Sequence, residues 1–152
     1  MLRKSEFAGL IPHAGAMNLL DAVVAFDHDS IHARSESHAL ADHPLREPRG
    51  LHAVNLAEYG AQAMAVHGGL KATPGAPVKP GRLVSLRDVR LAVEYVDPDA
   101  GALDVHARCI AADDGGAQYE FRVEQGGQLL ASGRAAVIHP PQGSAPLRHA
   151  CE

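Results

Sequence analysis

Tryptophan is absent from the sequence, and tyrosine and phenylalanine number three each among 152 residues. Stacking of single-stranded bases needs aromatic platforms, so this scarcity argues against a nucleic-acid strand binder. A basic excess is missing too. Lys and Arg total 14 against 18 Asp and Glu, a net charge of −4, whereas proteins that grip phosphate backbones carry a basic stripe. The two cysteines, Cys109 and Cys151, lack metal or redox spacing. They are expected to be free thiols in a cytoplasmic protein. No apolar run reaches the ~20 residues of a membrane span. No apolar segment follows Arg3 and Lys4, so no secretion signal is expected. A chain of this length suits one core. Residues 1–138 are expected to form one domain, with 139–152 as a disordered tail.

What the sequence does have is one long stretch without proline, residues 51–68, LHAVNLAEYGAQAMAVHG. Ala, Leu, Met, Glu and Gln dominate it and favour helix. Leu51, Val54, Ala57, Ala61, Met64 and Ala65 recur at three- and four-residue steps and predict an apolar face. Its many alanines and Gly60 would let strands pack close, and Gly68-Gly69 predicts the stop. One acid, Glu58, stands in this helix, with Gln62 one turn on and on the same side. Either the pair lies on a wet face, or the carboxyl is poorly solvated and holds its proton.

Around the helix the pattern is strand-like. Residues 1–18 read as a short turn or helix followed by extended chain, because Pro12 and Gly15 break any long element. Residues 19–26 and 31–38 read as two strands of a hairpin, joined at 27–30 by Asp-His-Asp-Ser. In the second strand Ile31, Ala33 and Ser35 alternate with His32, Arg34, Glu36 and His38, which predicts a wet face for the latter. Residues 39–50 are a loop. Residues 72–81, with three prolines, cannot be regular. Strands are expected at 82–96, 102–111, 117–124 and 129–138, with tight turns between them. The resulting class is α+β. A curved antiparallel sheet wrapped around one long helix, the hot-dog fold, is the natural way for one helix to cover such a sheet. A lone unit leaves an edge strand and part of the helix exposed, so pairing is expected, through 82–96 or the second strand.

Leu10-Ile11-Pro12-His13 followed by Met17-Asn18-Leu19-Leu20-Asp21 resembles the opening motif of the β-hydroxyacyl-[acyl carrier protein] dehydratases of fatty-acid synthesis. Glu58-Tyr59-Gly60-Ala61-Gln62 resembles their E-x-x-x-Q helix, whose Glu is catalytic. More narrowly, residues 11–17 and 61–68 resemble the ApeP-like branch tied to aryl polyene pigments, which lacks the usual histidine. The resemblance spans about residues 10–138. The typical enzymes place a His fourteen residues before the Glu, followed by Phe-Pro-Gly; here that position is Pro44.

The resemblance implies dehydration of a 3-hydroxyacyl thioester, bound to acyl carrier protein or coenzyme A, with no cofactor and no metal. It implies a homodimer, or a heterodimer with a related hot-dog subunit, in which base and acid face one another across the interface. Glu58 is then the acid, with Tyr59 and Gln62 to orient it. Amides ahead of the helix, at Gly50 and Leu51, would receive the enolate oxygen. For the base, a neutral histidine suits. His38 stands at a strand end, a rigid place to hold a base. His43 is one residue from the family spacing, but His43-Pro44-Leu45 stands where the related branch has Asn-Pro-Leu, which points to a turn role. Two other outcomes stay open: a subunit without a full site that completes a true dehydratase, or a hot-dog thioesterase. Among the other histidines, His13 is expected to bond backbone in a turn and His52 to be neutral. His67 is expected to place a favourable charge near the helix C-terminus. His28, His32, His38 and His43 lack metal-ligand spacing.

Overall fold

The structure is a computed structural model, and it describes residues 1–12, 14–72 and 82–139. The expected irregular stretch 72–81 falls almost wholly outside the described residues, as do His13 and, apart from His139, the expected tail. One antiparallel sheet of seven strands packs against one long helix. The strands are β1 (Leu2–Arg3), β2 (Ala22–Phe26), β3 (Ser30–Ser35), β4 (Arg82–Leu91), β5 (Leu103–Asp113), β6 (Gly116–Gln125) and β7 (Gln128–Ile138). A four-residue helix α1 (Lys4–Phe7) follows β1, and the long helix is α2 (Leu56–Lys71). The order across the sheet is β1-β2-β3-β5-β6-β7-β4. This is the expected hot-dog arrangement, with a short β1 added at one edge. No helix among the described residues is long and apolar enough to cross a membrane.

The turns form where their side chains demand it. Asp27 Oδ1 accepts from the Asp29 and Ser30 amides and closes the β2–β3 hairpin. Asp113 does the same for Gly115 and Gly116 between β5 and β6. Between β6 and β7, Gly126 and Gly127 adopt φ of 59° and 81°, which side chains with a Cβ resist.

Four boundaries differ from expectation, the first three for a tertiary reason. The strand expected at 82–96 leaves the sheet after Leu91, because 94–96 pair with the lead-in to α2: Ala53 N donates to Glu94 O, and Val96 N to Leu51 O. That pairing also holds residues 51 and 52 extended, so α2 starts at Leu56, after a 3-10 turn at Ala53–Asn55. At the other end the helix runs through Gly68-Gly69 to Lys71. Gly69 lies so close to Leu10 that an added Cβ would sit 2.6 Å from Leu10 Cδ2. Packing therefore overrides the weak helix propensity of glycine. The second strand ends at Ser35 and lies inside the sheet between β2 and β5, so it is no pairing edge. The edge beyond β7 is β4.

Candidate functional site

The sheet covers more of α2 than its sequence suggests. Leu56, Tyr59, Gly60, Gln62, Ala63, Met64, Val66 and His67 are buried. Of the face expected to be core, Leu51 and Met64 are buried and Val54 is 53% exposed, while Ala57, Ala61 and Ala65 are half-buried, Ala57 packing against the core. The large side chains take the sheet side, and the row of alanines is left partly exposed. Glu58 lies in that row, half-buried.

Gln62, 2% exposed, holds Glu58 in place. Its Nε2 donates to Glu58 Oε1 at 3.1 Å and to the Met17 carbonyl at 2.7 Å. Its Oε1 accepts the Leu19 amide at 2.8 Å. Both protons and the oxygen are used, so the amide has one orientation. The helix, the carboxylate and the 17–19 segment thus share one anchor.

Tyr59 points the other way, into the core, where it joins a chain of buried hydroxyls. Its oxygen lies 2.7 Å from Ser37 Oγ and 3.0 Å from His43 Nε2. Ser37 Oγ is 2.8 Å from Ser35 Oγ, which donates to the Leu19 carbonyl at 2.6 Å. His43 Nδ1 accepts the Leu45 amide, so its proton sits on Nε2. Direction follows along the chain: His43 donates to Tyr59, Tyr59 to Ser37, Ser37 to Ser35, and Ser35 to the backbone. Burial pushes the Tyr59 phenol up to about 12 and His43 below its ordinary range. Both ring nitrogens of His43 are therefore committed, one of them to the turn that its sequence context suggested.

His38 is neither at a strand end nor on a wet face. A 3-10 turn at Ser37–Ala39 follows Glu36 and rotates the imidazole inward, to 2% exposure. Its Nε2 lies 3.3 Å from Gln125 Nε2, an amide that also donates to the Asp97 and Gly101 carbonyls. Burial holds the ring below its ordinary pKa, against the Gly101 carbonyl, which favours the charged form. Its Nδ1 is buried without a hydrogen-bond partner among the described residues.

Ahead of the helix, the Gly50 amide donates to Glu47 and the Ala53 amide to Glu94. Leu51 is 1% exposed, and its carbonyl accepts Val96 N. His52 Nδ1 accepts the Val54 amide and caps the 3-10 turn at Ala53–Asn55. Among the described residues no group of three or more His, Cys, Asp or Glu is placed to hold a metal ion.

His67 is not a surface charge at the helix end. It is fully buried, with Nε2 on the Asp27 carbonyl at 2.9 Å and Nδ1 on the Tyr119 hydroxyl at 2.6 Å. Burial lowers its pKa. The sequence reading also passed over Ser35 and Ser37. Their signal was two hydroxyls spaced two apart, the first on the buried side of an alternating strand.

Known proteins share this framework. A family model described as ApeP dehydratase matches residues 5–148. No curated protein matches the chain. Among solved structures, the dehydratase heterocomplex ApeI:P from Xenorhabdus doucetiae superposes with a TM-score of 0.79 at 23% identity, covering 94% of this chain and 95% of that one. A phenylacetic acid degradation-related protein of Ralstonia eutropha gives 0.58 at 17% identity, covering 77% and 83%. A thioesterase of Staphylococcus aureus gives 0.59 at 13%, covering 78% and 93%. At these identities the likeness shows a shared fold.

Proposed function

Because the chain belongs to the ApeP-like dehydratase family, we propose that it supplies the acid half of a site that removes water from 3-hydroxyacyl thioesters. The acyl chain is carried on acyl carrier protein, and the base comes from a second hot-dog subunit. One observation carries this reading: Glu58 is held by Gln62 on the open alanine row of α2, while His43 and His38 are built into the interior. The heterocomplex to which the chain is similar pairs two different subunits, which supports a partner of the same fold.

In this reading the partner seals the alanine row and excludes water from it. A carboxyl cut off from water favours its acid form, the form a proton donor needs. The partner's base takes the proton α to the thioester carbonyl. Negative charge moves to the carbonyl oxygen; of the two amides expected to receive it, that of Gly50 is committed to Glu47, which leaves that of Leu51. The β-hydroxyl leaves with the Glu58 proton as water. Gln62 and the buried Tyr59 relay keep the helix turn that bears Glu58 in register with the 17–19 and 37–45 segments. His43 acts through that positioning, and neither it nor His38 touches the substrate.

The test is mass spectrometry of a 3-hydroxyacyl-carrier protein incubated with the purified chain, alone and with a histidine-bearing hot-dog subunit. Loss of water with the pair supports the reading. Loss of the whole acyl group would make the protein a thioesterase. An unchanged substrate in both reactions would leave it a subunit without chemistry of its own.

A further inference from the structure

The β4 edge has two different sides. Toward the helix side of the sheet it presents Leu83, Leu86, Val89 and Leu91, each about 40% exposed (38–42%). Their facing is fixed by the ladder: Leu86 pairs with buried Ala135 and Leu91 with buried Ala131. On the outer side the same ladder places Arg87 opposite Arg134, and Arg90 opposite Ser132. A bulge at Asp88, with φ of 52°, brings both arginines to that side although they stand three residues apart. An edge with a half-exposed apolar row is unfinished; an edge with charges and a bulge resists indiscriminate pairing.

The sign pattern says what finishes it. One row crosses the outer face as Arg108, Glu120, Arg134 and Arg87. Sign alternates until the last step, where two guanidinium groups stand opposite each other at the edge. Asp88 reaches only to 4.0 Å of Arg134, and both are well exposed. Like charges directly opposite destabilise a sheet, and opposite charges stabilise it. The next position in the row, on whatever strand pairs with β4, therefore favours a carboxylate. A second copy of this chain offers mainly arginine there, and its one β4 carboxylate, Asp88, already stands beside Arg134. Antiparallel partners share a face, so the outer residues of one β4 meet the outer residues of the other, drawn from Ser85, Arg87 and Arg90.

We propose that β4 selects an unlike partner: a hot-dog subunit whose edge strand is apolar on its inner side and carries carboxylates on its outer side. The Arg87–Arg134 pair and Arg90 disfavour self-pairing. This rests on the reading above that the chain works with a second subunit. Its test involves no turnover, so the two can fail separately.

The experiment needs only this chain and its variants. The double variant Arg87→Glu/Arg90→Glu turns the edge acidic on the outer side while keeping the apolar row. Sedimentation at low salt is expected to show the 1:1 mixture of wild type and variant associating at least about tenfold more tightly than either alone. Added salt should narrow the gap. A mixture no tighter than wild type alone would overturn the proposal. The neutral variant Arg87→Gln/Arg90→Gln gives a second reading that does not require an acidic edge to fold. It is expected to self-associate more tightly than wild type, and unchanged self-association would count equally against the proposal.

Discussion

Gln62 holds Glu58 from one helical turn away, Nε2 to Oε1 at 3.1 Å, with the same nitrogen on the Met17 carbonyl. Replacing Gln62 by Ala strips partners from the Met17 carbonyl, the Leu19 amide and the carboxylate. Gln62→Ala is expected to cost about 1–3 kcal/mol in urea unfolding, the range for a buried polar group left unsatisfied. Turnover of the assembled site should fall through kcat more than through KM, because Glu58 is still present but no longer held. Equal stability to wild type would show that the anchor is not formed.

His43 should separate into two functions. His43→Ala removes the acceptor for the Leu45 amide and the donor to Tyr59, at about 2 kcal/mol. His43→Asn keeps a side-chain oxygen for the turn and should recover part of that loss. Neither variant should erase the neutral limb of the pH–rate profile, since both ring nitrogens are engaged in the fold. Disappearance of that limb in His43→Asn would make His43 the base.

Stability should fall on mild acidification. Burial holds His38, His43 and His67 below the ordinary value of 6.5 in the folded chain. As pH drops below 6.5 the unfolded chain takes up protons that the folded chain does not. The contribution of these groups is therefore complete above that value. Below it, each removes up to about 1.4 kcal/mol per pH unit until its folded pKa is reached. Melting temperature is expected to be flat from about pH 7 upward and to decline below 6.5, with a shallower decline in His67→Gln. A melting curve that rises on acidification would contradict the neutral assignment.

Gly60 should not tolerate alanine despite the helix it sits in. An added Cβ would lie 2.7 Å from Phe121 Cγ, and one added at Gly133 would lie 2.9 Å from Cζ of the same ring, so the ring has little room to move. Overpacking costs about 1–3 kcal/mol, against a gain of about 1 kcal/mol in helix propensity. Gly60→Ala is expected to melt below wild type, and Gly68→Ala, with open space around its Cβ, at or above it.

These residues show which features local sequence encodes. The Glu58–Gln62 spacing and the turn at Asp27 are local, and each was legible. His67 finds its partner Tyr119 fifty-two residues away, so nothing near it in the chain announced a buried imidazole. The alternation of β3 holds through Glu36 and then misleads at His38, because a 3-10 turn changes the period. The apolar face of α2 was misread for a related reason. A helix enclosed on most sides has little apolar contrast around its circumference, and its alanines fit either a packed face or an open one. The two-sided character of β4 depends on a bulge at a non-glycine residue of positive φ, which its sequence does not signal.

The central claim is that Glu58 gives up the proton that leaves with the hydroxyl. Glu58→Gln keeps the size and the contact to Gln62 but has no acidic proton. The direct measurement is single-turnover mass spectrometry of a 3-hydroxyacyl-carrier protein with the assembled pair, wild type against Glu58→Gln, at matched melting temperature. The account predicts loss of water with wild type, and a rate at least about a hundredfold lower with the variant, the scale of a lost general acid. Water loss at the wild-type rate from a folded, assembled Glu58→Gln pair would contradict it.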